Sequence, residues 1–169
     1  METVSENSME NSQQAEVKTL KIEEVIALQG QYIGPTVGVS MLPMLKNRRD
    51  TIVVKPKTER LKSLDVALYK RGDSYVLHRV IQPINGGYII RGDNCYADER
   101  IPENDVFGVL TEFFRKDKHI FCTDKRYLRY AKRRVKYYKP RRFFVRIKWK
   151  LRGIAKKILR LFGFKRKTK

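Results

Sequence analysis

The sequence is short of cysteine, with two in 169 residues, and neither Cys95 nor Cys122 stands in a CxxC or Cys/His ligand spacing. A disulfide framework and a zinc site are therefore not expected, and a reducing compartment would leave both residues as thiols. No window of 18 consecutive apolar residues exists, so no segment reads as a transmembrane helix. The opening stretch, Met1 to Val17, carries Glu2, Glu6, Glu10 and Glu16 where an export signal would be basic and then apolar. A cytoplasmic address is the expectation that follows. Acidic residues are nearly missing from the last third: residues 115–169 hold 24 basic side chains and 2 acidic ones, Asp117 and Asp124.

The formal net charge of +20 is thus not a property of the whole chain. Residues 1–114 carry 14 basic and 16 acidic side chains, a nearly neutral domain joined to a polybasic tail. At 41% hydrophobic and 11% aromatic, the chain has the means to bury a modest core over about 100 residues. Residues 1–17 read as a disordered leader, and Thr19 to Gln29 as a short amphipathic helix stopped by Gly30. Between Gly34 and Cys122, β-rich runs alternate with turn residues at 36–40, 51–54, 66–69, 75–81, 87–92, 106–114 and 119–122. Asn85-Gly86 between the fourth and fifth runs is a strong hairpin signal. The pattern predicts a mainly β, compact, irregular antiparallel sheet or barrel domain over 18–122, with a short N-terminal helix and a basic helical appendage over 123–169.

Three segments carry candidate chemistry. Ser40 stands at the end of a β-run in Gly38-Val39-Ser40-Met41-Leu42-Pro43-Met44-Leu45, where a serine by itself reads as a helix cap. His78, in Val76-Leu77-His78-Arg79-Val80, shares a strand face with Val76 and Val80, where imidazole needs hydrogen-bond partners. Arg91-Gly92-Asp93-Asn94-Cys95-Tyr96-Ala97-Asp98-Glu99 is an acidic loop after the strand that pairs with the His78 strand through the Asn85-Gly86 turn. A serine, a histidine and nearby carboxylates are the ingredients of an activated hydroxyl. Gly38 and Gly92 permit close backbone approach, Asp50 and Asp65 serve turns, Cys95 is a small buried residue, and His119 is exposed.

In order and spacing, GxSMxPxL, HRV and GDN resemble the serine peptidase superfamily of type I signal peptidases and LexA-like self-cleaving proteins, over residues 34–112. The resemblance implies that Ser40 is the nucleophile and His78 the general base, as in the histidine branch of the superfamily. It also implies that a carboxylate in or after the GDN box orients the histidine: Asp98 first, Asp93 next, with Glu99 in an ambiguous register. No cofactor or metal is implied, and the substrate would be a peptide or protein bound in extended form. Two features depart from the pattern: the residues before Gly34 are expected to hold neither a membrane anchor nor a DNA-binding domain, and the glycine expected before Asp50 is Arg49. Gly38 stands where many bacterial members have a serine, as in the GxSM forms. The competing expectation is a non-enzymatic membrane- or RNA-binding protein with a degenerate peptidase fold.

From Phe143 onward the apolar residues fall at 143, 144, 147, 151, 154, 155, 158, 161 and 162, one face of a helix that Pro140 separates from an earlier basic helix around 125–138. Residues 143–164 suit adsorption to an anionic membrane surface, which would hold the protein at the inner face of a membrane. Nucleic-acid binding by Arg with Tyr127, Tyr130, Tyr137 and Tyr138 is the rival, and a solvated or domain-packed helix is the plain alternative.

Overall fold

The computed structural model describes residues 20–161; the expected leader over 1–17 lies outside them. The chain runs α1 (Ile22–Gln29), β1 (Tyr32–Pro35), β2 (Asp50–Pro56), β3 (Val66–Arg71), β4 (Ser74–Ile84), β5 (Gly87–Arg91), β6 (Glu99–Pro102), β7 (Val106–Arg115), β8 (Lys118–Phe121), α2 (Lys125–Lys136) and α3 (Tyr138–Leu161). The strands form one sheet in the order β1-β2-β7-β3-β4-β5-β6, with β8 also on β7, and every pairing is antiparallel. The chain is mainly β, and the sheet curls into a half-barrel.

Strand alternation builds two cores. Val66 and Leu68 of β3 join Ile52, Val54, Leu110 and Phe113 on one side, where Ile26 of α1 and Tyr127 and Ala131 of α2 cover them. Ala67 and Tyr69 point the other way and pack with Val76, Val80, Tyr88, Ile90 and Val106. A central strand buried on both faces reads as an unbroken apolar run, which is why residues 66–69 show no polar alternation. The β4–β5 hairpin turns at Asn85-Gly86, where Gly86 takes φ +71° and Ile84 pairs with Gly87.

Several expectations are corrected. Residues 36–40 are not a strand. The strand ends at Pro35, and Thr36 instead closes a loop by donating from Oγ1 to the carbonyls of Lys46 (2.7 Å) and Asp50 (3.1 Å). Glu99 does not end the acidic loop but opens strand β6, where it pairs with Ile90. The break between the basic helices falls at Tyr137, not Pro140. Pro140 is the third residue of α3, inside the first turn, where a helix does not need its N–H. Beyond Cys122, α2 buries Tyr127 and Ala131 against the core. Among the described residues, no helix is long and apolar enough to cross a membrane.

Candidate active site

Ser40 sits half-buried in a turn on the loop between β1 and β2. Two polar clamps shape that loop. Buried Asp50 closes the turn by accepting from Lys46 N (2.9 Å), and its charge is matched by Arg49, which donates from Nε (2.5 Å) and Nη2 (2.8 Å). The left-handed position of this turn falls on Arg48, at φ 53°. Nearer the serine, Gly38 takes φ +93° and donates from N to Asn47 Oδ1 at 3.0 Å, a conformation a side chain would strain. Among the described residues the Ser40 N–H has no hydrogen-bond partner, whereas its carbonyl accepts from Asn94 N at 2.7 Å.

His78 is buried in the middle of β4 opposite Ala67. Its Nδ1 lies 3.3 Å from Glu99 Oε1 and 3.2 Å from Tyr69 Oη. Tyr69 Oη in turn donates to Glu99 Oε2 at 2.8 Å, which leaves its lone pairs to receive the imidazole Nδ1–H. Arg71 Nη1, 3.1 Å from the same carboxylate oxygen, holds Glu99 in place. With Nδ1 carrying the proton, Nε2 is the basic nitrogen. It faces Gly92: a Cβ added there would lie 2.9 Å from His78 Nε2, 2.8 Å from Ser40 O and 2.7 Å from Cys95 Sγ. Imidazole, serine loop and GDN loop therefore meet where only glycine fits. Among the described residues no hydrogen bond joins Ser40 Oγ to His78.

Burial pushes the His78 pKa down, with Arg71 adding to the shift and Glu99 and Asp93 opposing it. The imidazole is thus neutral at neutral pH, the form a general base requires. Burial and the adjoining Glu99 push the Tyr69 phenol well above its ordinary range, so it stays a donor. Cys95 is also pushed up by burial and Glu99, which leaves it a thiol and a poor nucleophile beside the histidine.

The expected carboxylates are distributed differently from their sequence ranking. Asp98 does not reach His78; half-exposed, it pairs with Arg91 Nη1 at 2.6 Å. Asp93 is buried and committed to Arg79, which donates from Nε and Nη2 to its two oxygens at 2.8 Å each. Tyr130 Oη adds a third bond to Asp93 at 2.9 Å. Glu99 is the carboxylate against His78, because β5–β6 pairing brings it back alongside the His78 strand. Tyr69 was not singled out by its sequence context. The signal available was its place two residues beyond the cross-strand partner of His78. Asp65 caps a turn at Lys62 N (2.7 Å), and His119 pairs with Glu112 on β7–β8, away from this site.

Ser40, His78, Cys95 and Glu99 line one cleft of about 680 Å³, with apolar walls that include Val37, Val39, Met41 and Leu77. Strand β1, which ends the sheet, flanks it. Among the described residues no cluster of His, Cys, Asp or Glu has the make-up of a metal site. No model of a known protein family matches the sequence, and no curated protein matches it.

Proposed function

We propose that this protein is a serine endopeptidase, with Ser40 as nucleophile, His78 as general base and Glu99 as the residue that orients the base. The observation that supports this most is the orientation of the buried imidazole, Nδ1 toward Glu99 and Tyr69 and Nε2 toward Gly92 and the Ser40 loop. In this reading Ser40 Oγ attacks a peptide carbonyl while His78 Nε2 takes its proton. The resulting imidazolium is stabilised by Glu99 and returns the proton to the leaving amine. The Ser40 N–H, without an acceptor of its own, serves the developing oxyanion. Water then enters, loses a proton to His78 and releases the acyl group. An extended peptide laid along the outer edge of β1 would reach Ser40 with its side chains over the apolar walls. A fluorophosphonate probe tests the chemistry: labelling of the wild type, abolished in a folded Ser40→Ala, is expected. Absence of Ser40-dependent labelling overturns the reading and leaves a non-enzymatic binding protein.

The same proposal seats the enzyme peripherally on an anionic membrane surface through α3. Phe143, Phe144, Ile147, Leu151 and Ile154 are exposed, although they form one stripe of about 100° on the helix. Their centre lies about 140° around the axis from the side that meets the domain through Tyr138, Arg141 and Val145. Packing on its own domain thus does not account for the stripe. Ten Lys and Arg and no acidic residue share this helix, each cation adding on the order of 1 kcal/mol near anionic lipid. The apolar positions beyond Ile154 lie outside the residues whose side chains are described. Vesicle flotation tests the seat. Binding to phosphatidylglycerol-containing vesicles is expected to exceed binding to phosphatidylcholine, and Phe144→Glu with Leu151→Glu should abolish it. Equal binding to both vesicles, or RNA binding in place of lipid binding, overturns it.

A further inference from the structure

The basic C-terminal third does more than carry charge. Helix α2 and the elbow into α3 contact each of the three segments that bear the candidate site. Toward the His78 strand, Tyr127 Oη accepts from Arg79 Nη1 at 3.0 Å, and Arg79 directly follows His78. Toward the GDN loop, Tyr130 Oη donates to Asp93 Oδ2 at 2.9 Å, and Asp93 stands between Gly92, which abuts His78 Nε2, and Asn94, whose N donates to Ser40 O. Toward the serine loop, Arg134 Nη2 donates to Leu42 O at 3.0 Å. At the elbow, Tyr138 Oη donates to Tyr96 O at 2.5 Å while the Arg91 guanidinium stacks 3.4 Å over its ring. Residues 94–98 lead straight into Glu99.

Arg79 is the hub of this arrangement. All five of its N–H donors are engaged, by Asp93 twice, Leu64 O, Tyr127 Oη and Met44 Sδ, within a core where neither Arg79 nor Asp93 is exposed. A bidentate pair of this kind has little freedom of position. Two hydroxyls of α2 join it to a helix outside the segment bearing the three boxes: Tyr127 through Arg79 and Tyr130 through Asp93.

We propose that Tyr130 and Tyr138 are positioning residues for the Ser40/His78/Glu99 site, so that α2 and its elbow set the mutual placement of the three catalytic segments. The inference rests on the peptidase reading for its kinetic consequence but not for its structural one. Each tyrosine acts by its hydroxyl, so phenylalanine removes the contact and keeps the ring.

The test uses the full chain with Tyr130→Phe and Tyr138→Phe, and with Leu128→Ala as a control that thins α2's packing on the core at a side chain that makes no hydrogen bond to the loops. Two readouts are taken well below the melting temperature: the rate of fluorophosphonate labelling, and ¹H–¹⁵N shifts of residues 38–42 and 92–95 with the His78 imidazole titration. Tyr130→Phe is expected to lower the labelling rate about 10- to 100-fold, to move those shifts and to alter the His78 titration. Leu128→Ala should lower the melting temperature yet label within twofold of wild type. Wild-type labelling and unmoved loop shifts in both tyrosine variants overturn the proposal. So do losses that track melting temperature alike in all three variants. If the wild type itself does not label, the peptidase reading fails, and the loop shifts alone decide the positioning claim.

Discussion

Gly92→Ala is the most direct probe of how the site is assembled. Gly92 does not lie in the left-handed region, so alanine brings no backbone strain, and any effect is steric. Its Cβ would meet Cys95 Sγ at 2.7 Å, Ser40 O at 2.8 Å and His78 Nε2 at 2.9 Å, where ordinary contact begins at 3.4 Å. The thiol can rotate aside, but the Ser40 carbonyl is backbone and the imidazole is held through Nδ1. One of them must therefore retreat by about half an ångström, an overpacking cost of ~1–3 kcal/mol. Displacements approaching 1 Å between reacting groups cost about 100-fold in rate. The expected outcome is a folded protein, melting a few degrees lower, whose Ser40 labelling by fluorophosphonate falls by about that factor. Gly153→Ala, on α3 with nothing within 4 Å, is the matched control and should label normally. Removing the thiol, in Gly92→Ala with Cys95→Ala, should not restore the rate. Labelling of Gly92→Ala within twofold of wild type, at an unchanged melting temperature, would refute the convergence of the serine loop and His78 on Gly92.

Glu99→Gln should lower Ser40 labelling about 10²- to 10⁴-fold by removing the charge that orients and stabilises the imidazole, with Asp98→Asn near wild type in the same assay. Because Glu99 raises the His78 pKa, the residual activity of Glu99→Gln should persist to lower pH than wild-type activity does. The wild-type pH–rate profile itself should keep its acid limb below 6.5, since burial lowers the His78 pKa and the rate falls only as the base becomes protonated. Stability follows the same sign. The folded state holds His78 neutral while the unfolded chain protonates near 6.5, so this contribution is complete above that pH and is lost as pH falls below it, as urea midpoints across pH will show. Asp93→Asn leaves Arg79 as a buried charge without its counterion and should cost about 3–5 kcal/mol in urea unfolding, more than loss of the Asp98–Arg91 pair, whose carboxylate is half-exposed.

Much of the fold was legible because it follows from local pattern. Alternation over residues 75–81 and 87–92 with Asn85-Gly86 between them specifies a hairpin whatever surrounds it, and strands β4 and β5 form there. The run at 36–40 misled because its β-branched residues compete with a left-handed Gly38 and with the Thr36 hydroxyl, which bonds to backbone ten and fourteen residues away. Pro140 misled because a proline marks either a break or a first turn, and only the position of the helix start distinguishes them.

What the sequence determined by itself is therefore composition and period: a neutral β domain, a cationic helical end, no run of 18 apolar residues, and three short boxes holding a serine, a histidine and several carboxylates. Which groups face one another was decided only by tertiary structure. Asp93, Asp98 and Glu99 lie within seven residues and differ little in local context. The buried Arg79 takes Asp93, Arg91 takes Asp98, and the β5–β6 register delivers Glu99 to His78. The charge partition likewise marked residues 115–169 as one basic unit, yet burial divides it. Tyr127 and Ala131 make α2 part of the core, while the stripe from Phe143 to Ile154 stays exposed. Charge is additive along a chain and can be counted. Burial depends on what the rest of the chain places opposite each side chain.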